Sequence, residues 1–217
     1  MRVETIPVGP FESNCYLLEE RGACLLIDPG ADAGRLIEAA PSVPTAILLT
    51  HGHADHVGAL PELCAAWPGV PVLLHAADLA WVFRPETAIP PHYGALLPGS
   101  VRITPLALGA WSAGPFVFEV LAAPGHTPGG VCLYAPGAAA VFTGDTLFEG
   151  TVGRTDLPGS DPRALSESLL RLARLPEDTR VYPGHGAATT IGRELATNYF
   201  LAGAARKASR PQGGASA

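Results

Sequence analysis

The chain has 217 residues, enough for one domain with a short decoration and a sizeable buried core. Hydrophobic residues at 47% and charged residues at 16% exclude disorder for the bulk of it. A net charge of −6 argues against a large basic nucleic-acid surface, without excluding a local patch.

The start, Met1-Arg2-Val3-Glu4, lacks the apolar stretch of a secretory signal, which predicts a cytoplasmic protein. Residues 14–19 and 23–27 read as strands joined at Arg21-Gly22, a hairpin signal. Residues 32–40 read as a helix between Asp28-Pro29-Gly30 and Pro41. Ala46-Ile47-Leu48-Leu49-Thr50 is a fully apolar strand, hence central and covered on both faces. A helix is expected over 57–66, a strand over 71–74 and a short helix over 76–82. The stretch 84–115 is rich in loops.

Three strands follow, Phe116 to Leu121, Val131 to Tyr134 and Ala139 to Phe142. Residues 120–144 carry no Asp, Glu, Lys or Arg and resemble a membrane span, but their prolines and glycines break any continuous helix. Asp161 and Pro162 open a helix as N-cap and first helical residue. Leu165, Leu169 and Leu172 line one of its faces. A strand at Arg180-Val181-Tyr182 and a helix over 189–197 complete the domain, placed at 1–202. Residues 203–217 lack apolar bulk and are expected to fray. Cys15, Cys24, Cys64 and Cys132 show no CxxC spacing and read as reduced thiols, a Cys15–Cys24 bridge being the alternative. Two groups of strands with interspersed helices suggest two packed sheets covered by helices.

The chemistry concentrates in Thr50-His51-Gly52-His53-Ala54-Asp55-His56. Imidazole suits Zn, Fe, Mn and Ni, and carboxylate hardens the site. His51 and His53, two apart in extended backbone, point to one side. Asp55 and His56, further round the turn, address another point, so the cluster can serve two neighbouring metals. Three more segments at strand ends supply candidates: Pro124-Gly125-His126-Thr127, Thr143-Gly144-Asp145-Thr146 and Tyr182-Pro183-Gly184-His185-Gly186. Each alone reads as a turn or a structural histidine; together they complete seven ligands.

The order H-x-H-x-D-H, Gly-His, Gly-Asp, Gly-His resembles the metallo-β-lactamase fold superfamily, from about Asn14 to Phe200. Within it, Gly144-Asp145-Thr146-Leu147-Phe148 and Gly153-Arg154-Thr155-Asp156-Leu157-Pro158-Gly159 look like the single-domain glyoxalase II-like (hydroxyacylglutathione hydrolase-like) hydrolases. The resemblance implies an α+β fold, an αββα sandwich of two mixed sheets with helices outside. It implies one metal on His51, His53 and His126, a second on Asp55, His56 and His185, and Asp145 bridging them. Two divalent ions follow, zinc foremost, with iron or manganese also suited. Such a pair, about 3.5–4 Å apart, lowers the pKa of a shared water to about 7, and Asp55 can orient the resulting nucleophile. Thioester hydrolysis is the expected reaction. No G-x-S-x-G elbow offers another nucleophile.

Relatives of other activity differ at named positions. Common zinc β-lactamases carry Cys where Asp145 stands, and flavodiiron oxidases carry Glu where His53 stands. Persulfide dioxygenases, mononuclear iron oxidoreductases, share Gly153-Arg154-Thr155-Asp156 and form the rival reading. They show Cys where Val152 stands, and Ala-His-Asp-Tyr where Gly184-His185-Gly186 stands. A non-catalytic metal module is the other alternative, although structural zinc sites favour Cys. Two-domain glyoxalase II enzymes grip glutathione through a C-terminal helical domain. Only 32 residues follow His185 here, with the single lysine Lys207. Arg154 and Arg193 are the candidate carboxylate anchors, and His92 with Tyr93 the candidate mouth of the cleft. Arg154 could instead pin its loop through Asp156. His75 reads as a hydrogen-bonded core histidine. Asp28 reads as a turn residue or as a partner of a ligand histidine. Trp67, Trp81 and Trp111 read as core or rim packing.

Overall fold

Alternation along β2 (Ser13–Glu20) and β3 (Ala23–Ile27) divides their side chains between two cores. Cys15, Leu17, Cys24 and Leu26 face one cluster, while Tyr16, Leu18, Leu25 and Ile27 face another. A strand covered on both faces reads as an unbroken apolar run, as these do. The turn between them places Arg21 and Gly22 at φ 49° and 79°, the pair of positive angles that a two-residue hairpin requires.

In the computed structural model, which describes residues 1–80, 82–84 and 101–208, these strands join a six-stranded sheet. Its order is β1 (Arg2–Val8), β2, β3, β4 (Ile47–Leu48), β5 (Val72–His75) and β6 (Ile103–Leu106). The pairs β1–β2 and β2–β3 are antiparallel, and the rest are parallel. The remaining strands are β7 (Gly109–Ala113), β8 (Phe116–Ala122), β9 (Val131–Ala135), β10 (Ala140–Gly144), β11 (Leu147–Phe148), β12 (Thr151–Val152), β13 (Arg180–Pro183) and β14 (Thr189–Thr190). They form a second six-stranded sheet, β14-β13-β10-β9-β8-β7, and a β11–β12 hairpin. The second sheet is mixed as well, because β10 and β13 run parallel.

Leu18, Leu25, Ile27 and Leu48 of the first sheet meet Phe116, Phe118, Leu133 and Phe142 of the second. Outside the first sheet, α1 (Ala33–Ala39) and α3 (Leu60–Ala66) cover Leu17, Leu26 and Ile47 with Leu36, Leu60 and Leu63. Outside the second, α5 (Pro162–Leu172) and α7 (Tyr199–Ala208) cover Val141 and Val181 with Leu165, Leu169, Leu172 and Leu201. The four layers are the expected αββα sandwich. Asp161 caps α5 by accepting from the amides of Arg163 and Ala164 at 2.8 and 3.2 Å.

Four local expectations are corrected. Strand β1 was not anticipated; it is a sheet edge on which only Ile6 and Val8 are buried. The single helix expected over 57–66 is two, α2 (Ala54–Val57) and α3, because Pro61 suits the first turn of a helix and not its interior. The loop-rich stretch contains β6 and β7, edge strands whose sequence shows little apolar alternation. Helix α7 runs through Ala208, past the expected boundary at 202, with Leu201 and Ala204 buried three apart on one side. Residues 209–217 lie outside the described residues. Two further helices are α4 (Ala76–Leu79) and α6 (Ile191–Thr197).

Candidate metal centre

Every ligand candidate lies at or just beyond the end of a strand. After β4 the chain runs through His51 and His53 into α2, which carries Asp55 and His56. His126 follows β8, Asp145 follows β10, and His185 follows β13. The structure brings all seven together. Ligand atoms of His51, His53 and His126 lie within 4.8 Å of one another, and so do those of Asp55, His56 and His185. Asp145 stands between the two trios. Its Oδ1 is 3.4 Å from His56 Nε2, and its Oδ2 is 3.4 Å from His126 Nε2 and 3.7 Å from His185 Nε2.

Hydrogen bonds remote from the centre orient the rings. His126 Nδ1 donates to the carbonyl of Arg154 at 2.9 Å, and His185 Nδ1 to that of Phe11 at 3.1 Å. Both rings therefore present Nε2 lone pairs inward. The Thr50 hydroxyl donates to Asp28 Oδ2 at 2.6 Å, so it accepts from His51 Nδ1 at 3.0 Å. Asp28 Oδ2 also faces His56 Nδ1 at 3.2 Å, and Asp28 Oδ1 accepts the amide of Thr50 at 2.7 Å. One buried carboxylate thus sets the tautomer of two rings from the two trios. Both readings of Asp28 hold: at φ 52° it turns the chain after β3, and its carboxylate partners His56. Asp28 also falls within reach of His51 and His56 as a third ligand group, but its oxygens are already engaged.

Among the described residues five buried side-chain atoms have no hydrogen-bond partner, and three of them, His51 Nε2, His56 Nε2 and Asp145 Oδ1, belong to this centre. An unsatisfied buried polar atom costs about 1–3 kcal/mol. One lies in each trio and the third on the residue between them, which fits divalent cations, and the nitrogen and oxygen donor set suits Zn, Fe or Mn. The charges fit as well. Burial holds His51 well below the usual histidine range, and burial with His126 nearby lowers His53 to about 3. Both rings are thus neutral donors at neutral pH. Burial also opposes charge on His56, but Asp55, Asp145 and Asp28 outweigh it and raise it to about 10. Burial opposes charge on Asp55 too, yet His56 and His185 hold it below the carboxylate range. In the absence of metal, a proton on His56 does part of the work of a cation.

Close approach explains the glycines. A Cβ on Gly184 would collide with Asp145 Oδ1 and lie 2.9 Å from His56 Cε1. Gly144 adopts φ 46°, and a Cβ there would collide with Thr50 Oγ1.

Several supporting residues escaped the sequence reading. Ser13 Oγ donates to Asp55 Oδ2 at 3.2 Å, beside the 3.2 Å contact from His185 Nε2. Asn14 Nδ2 donates to the carbonyls of Pro183 and Gly186, on either side of His185. Asp78 is wholly buried and binds two loop amides. A polar Ser-Asn pair heading an apolar strand was the available signal for the first two. Of the expected substrate contacts, Arg154 forms a bidentate pair with Asp156 at 2.7 and 2.8 Å, and Arg193 pairs with Glu149 at 2.8 Å. The Arg154 carbonyl, rather than its guanidinium, touches the centre. His75 caps α4, accepting from Ala77 N at 3.4 Å. His92, Tyr93 and Trp81 lie outside the described residues.

The fold and the paired ligand trios define a metal-dependent hydrolase scaffold. The profile of the metallo-beta-lactamase superfamily matches residues 8–185, and the chain belongs to that family. It is 37% identical to "Probable metallo-hydrolase YqgX" of Bacillus subtilis (strain 168), over 94% of this chain and 99% of that one. It is 38% identical to "Hydroxyacylglutathione hydrolase GloC" of Haemophilus influenzae, over 93% and 98%. Among solved structures, TTHA1623 in a di-iron-bound form is 44% identical, with TM-score 0.82 over 91% of this chain and 100% of that one. BLEG-1 B3 metallo-beta-lactamase is 36% identical, with TM-score 0.82 over 92% and 99%.

Proposed function

We propose that the protein hydrolyses thioesters of the hydroxyacylglutathione type with two divalent metals. The observation that carries this is the placement of Asp145 between two trios, each with one buried, unpartnered ring nitrogen. The likeness to GloC over nearly both full lengths supports the substrate class. The metals are zinc, iron or manganese, and the di-iron form of TTHA1623 supports a binuclear occupancy.

When bound, such a pair supplies Lewis acidity and a water with a pKa near 7. The protein supplies the rest. His51, His53 and His126 hold the first site, Asp55, His56 and His185 the second, with Asp145 shared. Asp55 Oδ2 accepts from Ser13 Oγ at 3.2 Å, which fixes the carboxylate and would leave its other oxygen to orient a water at the second site. His185 is the most open of the five rings, its side chain 29% exposed, so the thioester enters on that side. Phe148, its ring 6.2 Å from that of His185, supplies an apolar wall there. Arg154 already holds a carboxylate in bidentate fashion. Anchoring an anionic substrate would exchange Asp156 for the substrate's own carboxylate.

Among the described residues no helix is long and apolar enough to cross a membrane. The four cysteines are unbridged. The unbridged thiols support action on a small molecule in a reducing compartment.

The test assays S-D-lactoylglutathione cleavage by thiol release, with and without chelator, on a sample of measured metal content. Glutathione persulfide with oxygen uptake, and a β-lactam, run in parallel. Chelator-sensitive thiol release at about two metals per chain is the expected result. Oxygen uptake without thioester cleavage would make the protein a persulfide oxygenase, and lactam opening alone would make it a lactamase.

A further inference from the structure

Asp78 lies on α4, outside the seven ligands, and is wholly buried. Its Oδ2 accepts the amide of Gly52 at 2.9 Å, and its Oδ1 accepts the amide of Gly129 at 2.6 Å. Gly52 separates His51 from His53. Gly129 lies three residues beyond His126 in the same loop. One carboxylate therefore gives an oxygen to each loop that carries the first trio. Those loops leave different sheets, the first after β4 and the second after β8.

We propose that Asp78 is a positioning residue that fixes the spacing of His51 and His53 against His126, and so sets the affinity of the first trio for a divalent cation. This rests on the metal centre argued above. The residue type matters, because a carboxylate accepts at both oxygens, whereas an amide accepts at one and would turn its NH2 toward an N–H. The packing leaves no slack. A Cβ on Gly129 would lie 2.5 Å from Asp78 N and 2.6 Å from Asp78 Oδ1. Ridding the loop of this contact lets His126 drift from the other two rings. The second trio is held by other groups: Ser13 on Asp55, Asp28 on His56, Phe11 on His185. The effect of Asp78 is therefore selective for one site.

The experiment titrates metal-free full-length protein with Cd2+ and follows the two sites by 113Cd NMR. It compares wild type with Asp78→Asn, which keeps the side-chain volume, and with Asp78→Ala. Removal of a group that orients ligands costs about 10–100-fold in metal affinity. That loss is expected at the His51, His53, His126 site in both variants, with the other site within about threefold of wild type. Equal weakening at both sites, or wild-type affinity at both, overturns the proposal. So does failure of both variants to fold with the second site filled, since Asp78 would then support the fold at large. Wild type that binds no Cd2+ overturns the metal-centre reading itself, which a negative result in the variants alone would not do.

Discussion

Replacing Asp28 by alanine tests whether one carboxylate organises both trios. The side chain accepts three hydrogen bonds, from Thr50 N at 2.7 Å, Thr50 Oγ1 at 2.6 Å and His56 Nδ1 at 3.2 Å. All three donors lie on buried residues. At about 1–3 kcal/mol for each donor left unpaired, and with the Thr50 hydroxyl free to rotate, the cost is about 2–6 kcal/mol. For a chain of this size each kcal/mol lowers Tm by about 2–4 °C, so a fall of about 4–24 °C is expected in metal-free protein. Metal affinity should fall at both sites by about 10–100-fold, because His51, through Thr50, and His56 lose their fixed tautomer together. Thermal denaturation and chelator competition on the same sample read both quantities. Loss of affinity at the His56 site alone would refute the relay through Thr50. An unchanged Tm would refute the assignment of three buried bonds.

Asp145→Ala should keep the fold, lose one of two metals and cut kcat about a thousandfold, since a bridging Lewis-acid site is worth several kcal/mol at 1.36 kcal/mol per decade; metal analysis and turnover check it. The Tm of chelated protein should peak near the unperturbed histidine pKa of about 6.5. His51 and His53 are depressed in the fold, so their contribution is lost as pH falls below that value and the unfolded chain takes up protons. His56 is raised to about 10, so its contribution is present below about 6.5 and lost as pH rises toward 10. A monotonic Tm profile from pH 5 to 9 would contradict this arrangement. Arg154→Ala should raise KM for glutathione thioesters about ten- to a hundredfold if the guanidinium passes from Asp156 to substrate. A matched fall in kcat for Arg154→Ala and Asp156→Ala, with KM unchanged, would show instead that the pair only pins the loop behind His126.

The seven residues that the fold brings together were legible because each carries its signal locally. His51, His53, Asp55 and His56 fall within six residues at a strand end, and His126, Asp145 and His185 each follow a glycine. The residues that hold the ligands carry no such signal. Ser13 reaches Asp55 across 42 positions, Asn14 reaches Gly186 across 172, and Asp78 reaches Gly129 across 51. Each is an ordinary polar residue until the sandwich closes. The same physics separates the strands that were read from those that were not. Leu25, Leu26 and Ile27 are buried on both sides and announce it, whereas β7 is an edge that buries neither of its faces fully. Helix α7 was hidden because its buried side includes Ala204, whose small side chain contributes little to an apolar pattern.

The division of the ligands between the sheets ties the centre to the fold. His51, His53, Asp55 and His56 all follow β4 of the first sheet, while His126, Asp145 and His185 follow strands of the second. Neither trio can be completed from one sheet alone. Direct bonds also cross the gap at this end, among them the amide of Val131 to the carbonyl of Thr50 at 2.9 Å, that of Asn14 to Gly184 at 2.7 Å, the Asn14 side chain to the carbonyls of Pro183 and Gly186, and the amide of Gly129 to the Asp78 carboxylate. A cation bound to either trio therefore binds only the closed sandwich. By linkage it stabilises that state by about 2.7 kcal/mol when present at a hundred times its Kd. The layers that bury the apolar residues hold the two sets of candidate ligands in register, and a bound metal would in turn join the two layers at this end. Substitutions at Asp28 or Asp78 should on this reasoning be partly rescued in stability by excess metal, whereas a cavity in the inter-sheet core at Leu48 or Phe142 should depress metal-free and metal-loaded protein alike.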